Sequence, residues 1–225
     1  MPRGRFSNRA KTKVERDPQG PAGVRAMIPT YLTHYYHDEP FQCITDLPTS
    51  ELVRLVLRIR ITRTLPRRLM KPVYFLERRR YKRQMREQFV SKGGRPRRHT
   101  PQYMVLGHSD IWKRQAPRSL RIPLAEVPSD LISFTYTDSW YTYVDFDLNR
   151  RPVPRKRPYE MVYRVEELDN LLDEFGWPGE QKHSDPSCRF DYYIEAQVWE
   201  DEPLAPFKQR FSSASETCVG PHITR

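Results

Sequence analysis

Between positions 54 and 98 the chain carries seventeen Lys and Arg against two acids, a net charge of +15. Charge of one sign at that density cannot enter a core, because each desolvated cation is costly unless it is paired. The block can fold only as a one-sided helix or as loop, laid on a scaffold that other segments supply. That scaffold is acidic. Residues 1–26 hold seven Lys/Arg and two acids, and the remainder holds fifteen Lys/Arg against twenty-four acids, a net of −9. Such segregation points to a polyanionic partner, nucleic acid above all. The other reading of the basic face is a merely solvated helix, produced by Arg-rich coding.

Inside the block, residues 72–91 read as a helix, with Pro72 in the first turn and Gly93 and Gly94 just past the end. Met70, Tyr74, Tyr81, Met85 and Phe89 form a core-facing stripe at helical spacing, while Arg79, Arg83 and Arg86 lie opposite, flanked by Arg80 and Lys82. "TSELVRLVLRIRI" (49–61) precedes it as a helix with Thr49 or Ser50 as N-cap, although its Val and Ile content also suits a strand. "RPRRHTP" (95–101) follows as a basic loop carrying Arg95, Arg97 and Arg98, and "FDLNRRPVPRKRP" (146–158) is a second.

The scaffold is read from short alternating segments at 30–37, 102–107, 119–124, 131–139, 159–165 and 190–199. "EELDNLLDEFGWP" gives a short acidic helix ended by Gly176 and Pro178. The expectation is an α+β fold: a single mixed, mostly antiparallel sheet domain over 27–205 with a long basic helix inserted. Residues 1–26 read as a disordered basic arm, or as sequence upstream of a start at Met27, and 206–225 as a polar tail.

Several function classes lose their ground. No apolar run approaches the roughly 18 residues of a membrane span, and no apolar segment near the N-terminus suits a signal peptide. Cys43, Cys188 and Cys218 are far apart and form no CxxC pair, so neither a disulfide framework nor a zinc site is expected, and the cytoplasm is the expected compartment. No metal is expected. GxGxxG, GxxxxGK[ST] and GxSxG are all absent.

The remaining chemistry centres on "YIEAQVW" (193–199). On a strand, Ile194, Ala196 and Val198 share an apolar face, and Tyr193, Glu195, Gln197 and Trp199 share the other. A carboxylate and an amide bracketed by two large rings suit the wall of a cleft; the alternative is an exposed face with rings packing across strands. In "HYYH", His34 and His37 fall on opposite strand faces, which disfavours joint metal binding but leaves one free to meet a ligand hydroxyl. In "SFTYTDSWYTY" (133–143), Ser133 and Thr135 sit in a hydroxyl row near Tyr141 and Tyr143, a combination that can line a pocket for a flat ring.

An early His-bearing strand, a middle Ser-x-Thr strand with following aromatics and a late Glu strand together resemble the ADP-ribosyltransferase superfamily. "IEAQVWEDEPL" looks most like the closing strand of its DNA-targeting toxins. Tyr193 stands where many members place Gln or Glu two residues before the catalytic Glu, and no "HGT" follows the first His. The "KGG", "SFT-DS" and "IE-Q-W" elements also resemble an uncharacterised bacterial family, which implies no activity.

The superfamily resemblance implies NAD as substrate, with Glu195 steadying an oxocarbenium-like ribose and His34 bonding ribose hydroxyls or the carboxamide. Ser133 and Thr135 would shape the pocket, and Tyr141 or Tyr143 would stack on nicotinamide. The basic helix and loop would hold a nucleic-acid acceptor or the pyrophosphate. The competing reading is a non-catalytic nucleic-acid-binding protein that uses Arg79, Arg83, Arg86, Arg95, Arg97 and Arg98.

Overall fold

The computed structural model describes residues 27–43, 46–62, 72–140, 143, 158–159, 161–178 and 193–216. The arm at 1–26, Met70, Tyr141 and nearly all of the loops at 146–158 and 179–189 lie outside the described residues. The fold is α+β. Its strands are β1 (Tyr31–Tyr36), β2 (Gln102–Leu106), β3 (Arg118–Pro123), β4 (Ile132–Tyr136), β5 (Val162–Tyr163) and β6 (Ile194–Val198). They form one sheet in the order β3-β1-β2-β6-β4-β5, with every strand pair antiparallel. The helices are α1 (Thr49–Thr62), α2 (Pro72–Ser91), α3 (Asp110–Gln115), α4 (Leu168–Phe175) and α5 (Ala205–Glu216).

β6 is central, and all five of its residues are buried. Ile194, Ala196 and Val198 join Leu32, Met104, Ile132, Phe134 and Tyr136 in the larger core, which Leu168 and Leu171 of α4 and Phe207 of α5 complete. Each such side chain contributes roughly 1.5–3 kcal/mol of burial free energy. α4 stops at Gly176, whose φ of 71° suits glycine and whose N–H caps the Leu172 carbonyl at 2.8 Å. The Tyr136 hydroxyl donates to the Phe175 and Gly176 carbonyls at 3.1 Å, tying that end to the sheet.

The opposite sheet face is covered as well. Tyr81, Met85 and Phe89 of α2 pack with Tyr143, Val162 and Trp199 in a second cluster. Tyr81, Met85 and Phe89 of the stripe expected on this helix are therefore buried. Lys82 departs from expectation: it is 1% exposed, one position round from Tyr81, with its ammonium 4.8 Å from the centre of the Tyr103 ring. Residues 205–216, expected largely within a polar tail, form α5, anchored where Leu204 and Phe207 are buried. α3 was not foreseen; the Ser109 side chain caps it by accepting from the Trp112 N–H.

A Cβ at Gly94 would stand 2.6 Å from the Phe89 ring atoms, so only glycine lets the chain leave α2 over that ring. Gly94→Ala should destabilise the protein by about 1–3 kcal/mol through this overpacking, measured by urea unfolding. An unchanged midpoint would show that the ring moves aside freely.

Candidate active site

β1 and β2 begin as partners and then separate. Their pairing covers Leu32 with Leu106 and Thr33 with Val105. Beyond that point the His34 side chain takes over the bonding. Its Nε2 accepts the Phe41 N–H at 2.9 Å, which leaves Nδ1 to carry the proton and donate to the Tyr103 carbonyl at 3.0 Å. Burial holds His34 below its usual pKa, so the neutral tautomer that this bridge needs is favoured. The Gln102 amide donates to the Phe41 carbonyl at 2.9 Å, and the Phe41 ring stacks on His34 at 4.7 Å. These contacts hold Phe41 at φ 60°, a left-handed conformation rare for a bulky residue.

An open pocket of about 180 Å³ forms at the splay, lined by Glu195, Tyr193, Tyr103, Trp112, Cys43 and His34 among others. That is smaller than the roughly 300–1,000 Å³ of sites that enclose a whole drug-sized ligand. Thr33, Val105, Glu195 and Thr135 are successive cross-strand partners, so they share one sheet face. His34 alternates to the other face and reaches the pocket where the strands part.

Glu195 is 7% exposed. Burial, and next the nearby Asp138 carboxylate, push its pKa up to about 8, with Ser139, Gln197 and the Arg78 charge acting the other way. Beneath it runs a buried polar network. The Trp199 indole donates to the Ser133 hydroxyl at 2.8 Å, and Ser133 donates to Gln197 Oε1 at 2.9 Å. This fixes the amide so that Nε2 donates to Thr135 Oγ1 at 3.0 Å and to Glu195 Oε1 at 3.1 Å. Thr135 then donates to the Thr137 carbonyl at 2.9 Å. Among the described residues the Tyr103 hydroxyl is buried without a hydrogen-bond partner, a condition that costs about 1–3 kcal/mol in a dry interior.

The candidate residues read from sequence separate into distinct roles. Glu195 and His34 line the same pocket, but both His34 nitrogens are held by backbone. Ser133 and Thr135 are fully buried and orient Gln197 beneath the pocket. Tyr143 lies against α2, stacked on Tyr81 at 5.9 Å and donating to Gln88 at 2.9 Å. Tyr103, Trp112 and Asp138 were missed, because only the register and the cover of α2 and α3 bring them to Glu195.

The six candidate arginines also divide. Arg79 donates to Thr49 and to the Leu47 carbonyl, and Arg86 to the Pro96 and Arg98 carbonyls. Arg98 bridges Asp46 and Asp201. These three hold the protein to itself. Arg83, Arg95 and Arg97 are exposed, although Arg97 reaches Glu200 at 3.3 Å and Arg95 reaches Asp130 at 3.9 Å. Among the described residues no group of three or more His, Cys, Asp or Glu side chains could hold a metal, and no helix is long and apolar enough to cross a membrane.

The raised pKa of Glu195 carries a stability consequence. Its folded value of about 8 lies above the unfolded value near 4.5, so between them the folded state holds the extra proton. Stability is then greatest below about pH 4.5 as far as this group is concerned, and falls as pH rises through the window, by on the order of 5 kcal/mol. Glu195→Gln should flatten that slope and be more stable than wild type at about pH 8, read by urea unfolding across pH. An unchanged slope in the variant would remove Glu195 as its source.

The chain matches no protein-family model, no curated protein and no solved structure.

Proposed function

We propose that the protein is an NAD-dependent ADP-ribosyltransferase-like enzyme in which Glu195 stabilises the ribosyl cation. The observation that carries this reading is a buried carboxyl on the inner wall of a ring-lined pocket, oriented by the Gln197 amide. The resting carboxyl is largely protonated at neutral pH. The nicotinamide ring of NAD is a cation, and its arrival favours the carboxylate, with the proton passing to solvent. The C–N bond to ribose then breaks with its electron pair leaving on nicotinamide. Glu195, now negative, faces the carbon that turns positive, an arrangement worth several kcal/mol in a water-poor site. The acceptor attacks that carbon and loses a proton. Tyr103, Tyr193 and Trp112 supply stacking surfaces and the unpartnered Tyr103 hydroxyl a donor. His34 serves the framework of the pocket.

Nucleic acid is the proposed acceptor, for which Arg83, Arg95 and Arg97 supply the exposed cations. Non-catalytic nucleic-acid binding is the second reading, and the same three residues favour it.

Incubation with labelled NAD and a mixture of DNA, RNA and protein should give label transfer that Glu195→Gln lowers by at least about 100-fold. Equal transfer by both proteins would end the assignment. Replacing Arg83, Arg95 and Arg97 together by Gln should weaken nucleic-acid binding and lower the magnitude of its salt slope by about 2–3. A retained slope would exclude this face as the contact.

A further inference from the structure

α2 brings a lysine into the interior and sets it against a cysteine. Lys82 is 1% exposed; its Nζ donates to Cys43 Sγ at 3.3 Å and rests 4.8 Å from the centre of the Tyr103 ring. A desolvated ammonium persists where electron-rich groups meet it, and here a sulfur and a ring face do so. Cys43 is half-buried and lines the pocket where β1 and β2 part, open to a molecule entering there. The segment that carries it is fixed on both sides. Phe41, two residues before, is held by His34 and Gln102. The Asp46 N–H donates to the Cys43 carbonyl at 2.9 Å, and Asp46 is itself clamped by Arg98. On the wall of the same pocket, the Tyr103 hydroxyl is buried without a hydrogen-bond partner among the described residues. A small oxygen-bearing guest would meet that need.

We propose that Cys43 is a peroxide-reactive thiol with Lys82 as its proton donor, so that hydrogen peroxide entering the pocket oxidises Cys43 to the sulfenic acid. The Cys43 thiolate attacks one peroxide oxygen; an S–O bond forms, and the O–O bond breaks with its electron pair on the departing oxygen. Hydroxide leaves and takes a proton from the Lys82 ammonium, giving sulfenic acid, water and a neutral amine. Sulfur is oxidised, peroxide is reduced, and solvent later returns the proton to Lys82. Hydroxide is a poor leaving group without that proton, and the Lys82–Cys43 contact places the donor beside the reacting sulfur. The cavity of about 180 Å³ suits so small a guest. Burial lowers the Lys82 pKa to about 8, so its ammonium is formed at neutral pH yet gives up a proton more readily than an exposed lysine. Cys43 and Asp46, from the segment after β1, hold that proton on, and Arg78 of α2 works against it. Tyr103 of β2, pushed up by burial, stays neutral beside it. The inference rests on this contact and not on the NAD reading of the pocket.

The test treats the full chain with hydrogen peroxide, traps sulfenic acid with excess dimedone and follows each cysteine by mass spectrometry. Cys188 and Cys218 are the references within the same molecule. At about pH 7, Cys43 should label at least about tenfold faster than either, and Lys82→Met, checked as folded by circular dichroism, should lower its rate by about tenfold or more. Lys82→Arg serves if the Met variant does not fold; it keeps the charge but holds its proton, and should slow the peroxide reaction as well. Iodoacetamide is the counter-probe, because departing iodide needs no proton, so its rate at Cys43 should change far less in Lys82→Arg. In the wild type the ratio of peroxide to iodoacetamide rates should fall as pH rises through about 8, where Lys82 loses its proton. Labelling of Cys43 no faster than that of Cys188 and Cys218 overturns the inference. So does an unchanged peroxide rate in a folded Lys82 variant, or an equal fall with both reagents in Lys82→Arg. None of these results bears on label transfer from NAD, which is read separately through Glu195→Gln.

Discussion

β6 is buried on both faces, and the fold depends on how its second face was made compatible with a dry interior. One face packs against apolar side chains. The other carries Glu195, Gln197 and, beside them on β4, Ser133 and Thr135, all beneath α2. Buried polar groups left unmet would each cost more than a hydrogen bond returns. Here the bonds run from Trp199 through Ser133 and Gln197 to Thr135 and Glu195. Of these, Glu195 is the one that lines the pocket, so the network that makes the interior tenable also fixes the candidate catalytic group.

The pocket owes its existence to a second departure from regular structure. A continuous β1–β2 ladder would leave no opening between those strands. The His34 ring replaces the ladder with two backbone contacts and draws in Phe41 at a positive φ. On the far side Thr137, also at a positive φ, aims Asp138. Among the described residues these two are the only non-glycine residues with positive φ; Phe41 precedes Gln42 of the pocket wall, and Thr137 pairs with Ile194, next to Glu195. Strain of this kind persists where surrounding packing over-determines it, and it clusters at working sites. A carboxyl pushed up to about 8 adds to the same cost.

Part of the basic block holds the fold together. Arg79 and Arg86 bind α2 to the start of α1 and to the loop that follows it, and Arg98 clamps acids from two distant segments. Bonds to backbone carbonyls satisfy groups that the turns leave open. Of the six arginines singled out from sequence, Arg83, Arg95 and Arg97 are the exposed ones, so the charge that these six offer to solvent is smaller than the composition suggests.

Alternation and helical spacing were enough to read the six strands, α1, α2 and α4, because each periodicity reports a local backbone geometry and one face that must leave water. Of the strand face read in "YIEAQVW" as a cleft wall, Tyr193 and Glu195 line the pocket, whereas Gln197 and Trp199 are buried away from it. α3 and α5 were not legible, being short or weakly patterned and held by a single cap or a few contacts. Nor could spacing reveal that His34 is committed to backbone, that Lys82 is buried, or that Asp138 lies against Tyr193, fifty-five residues away. Those relations depend on register and on which helix covers which face. Local sequence determined the elements and the chemistry they carry. The tertiary structure alone decided which side chains share one low-dielectric space, because burial, proton affinity and hydrogen-bond partners are properties of neighbours in space rather than in sequence.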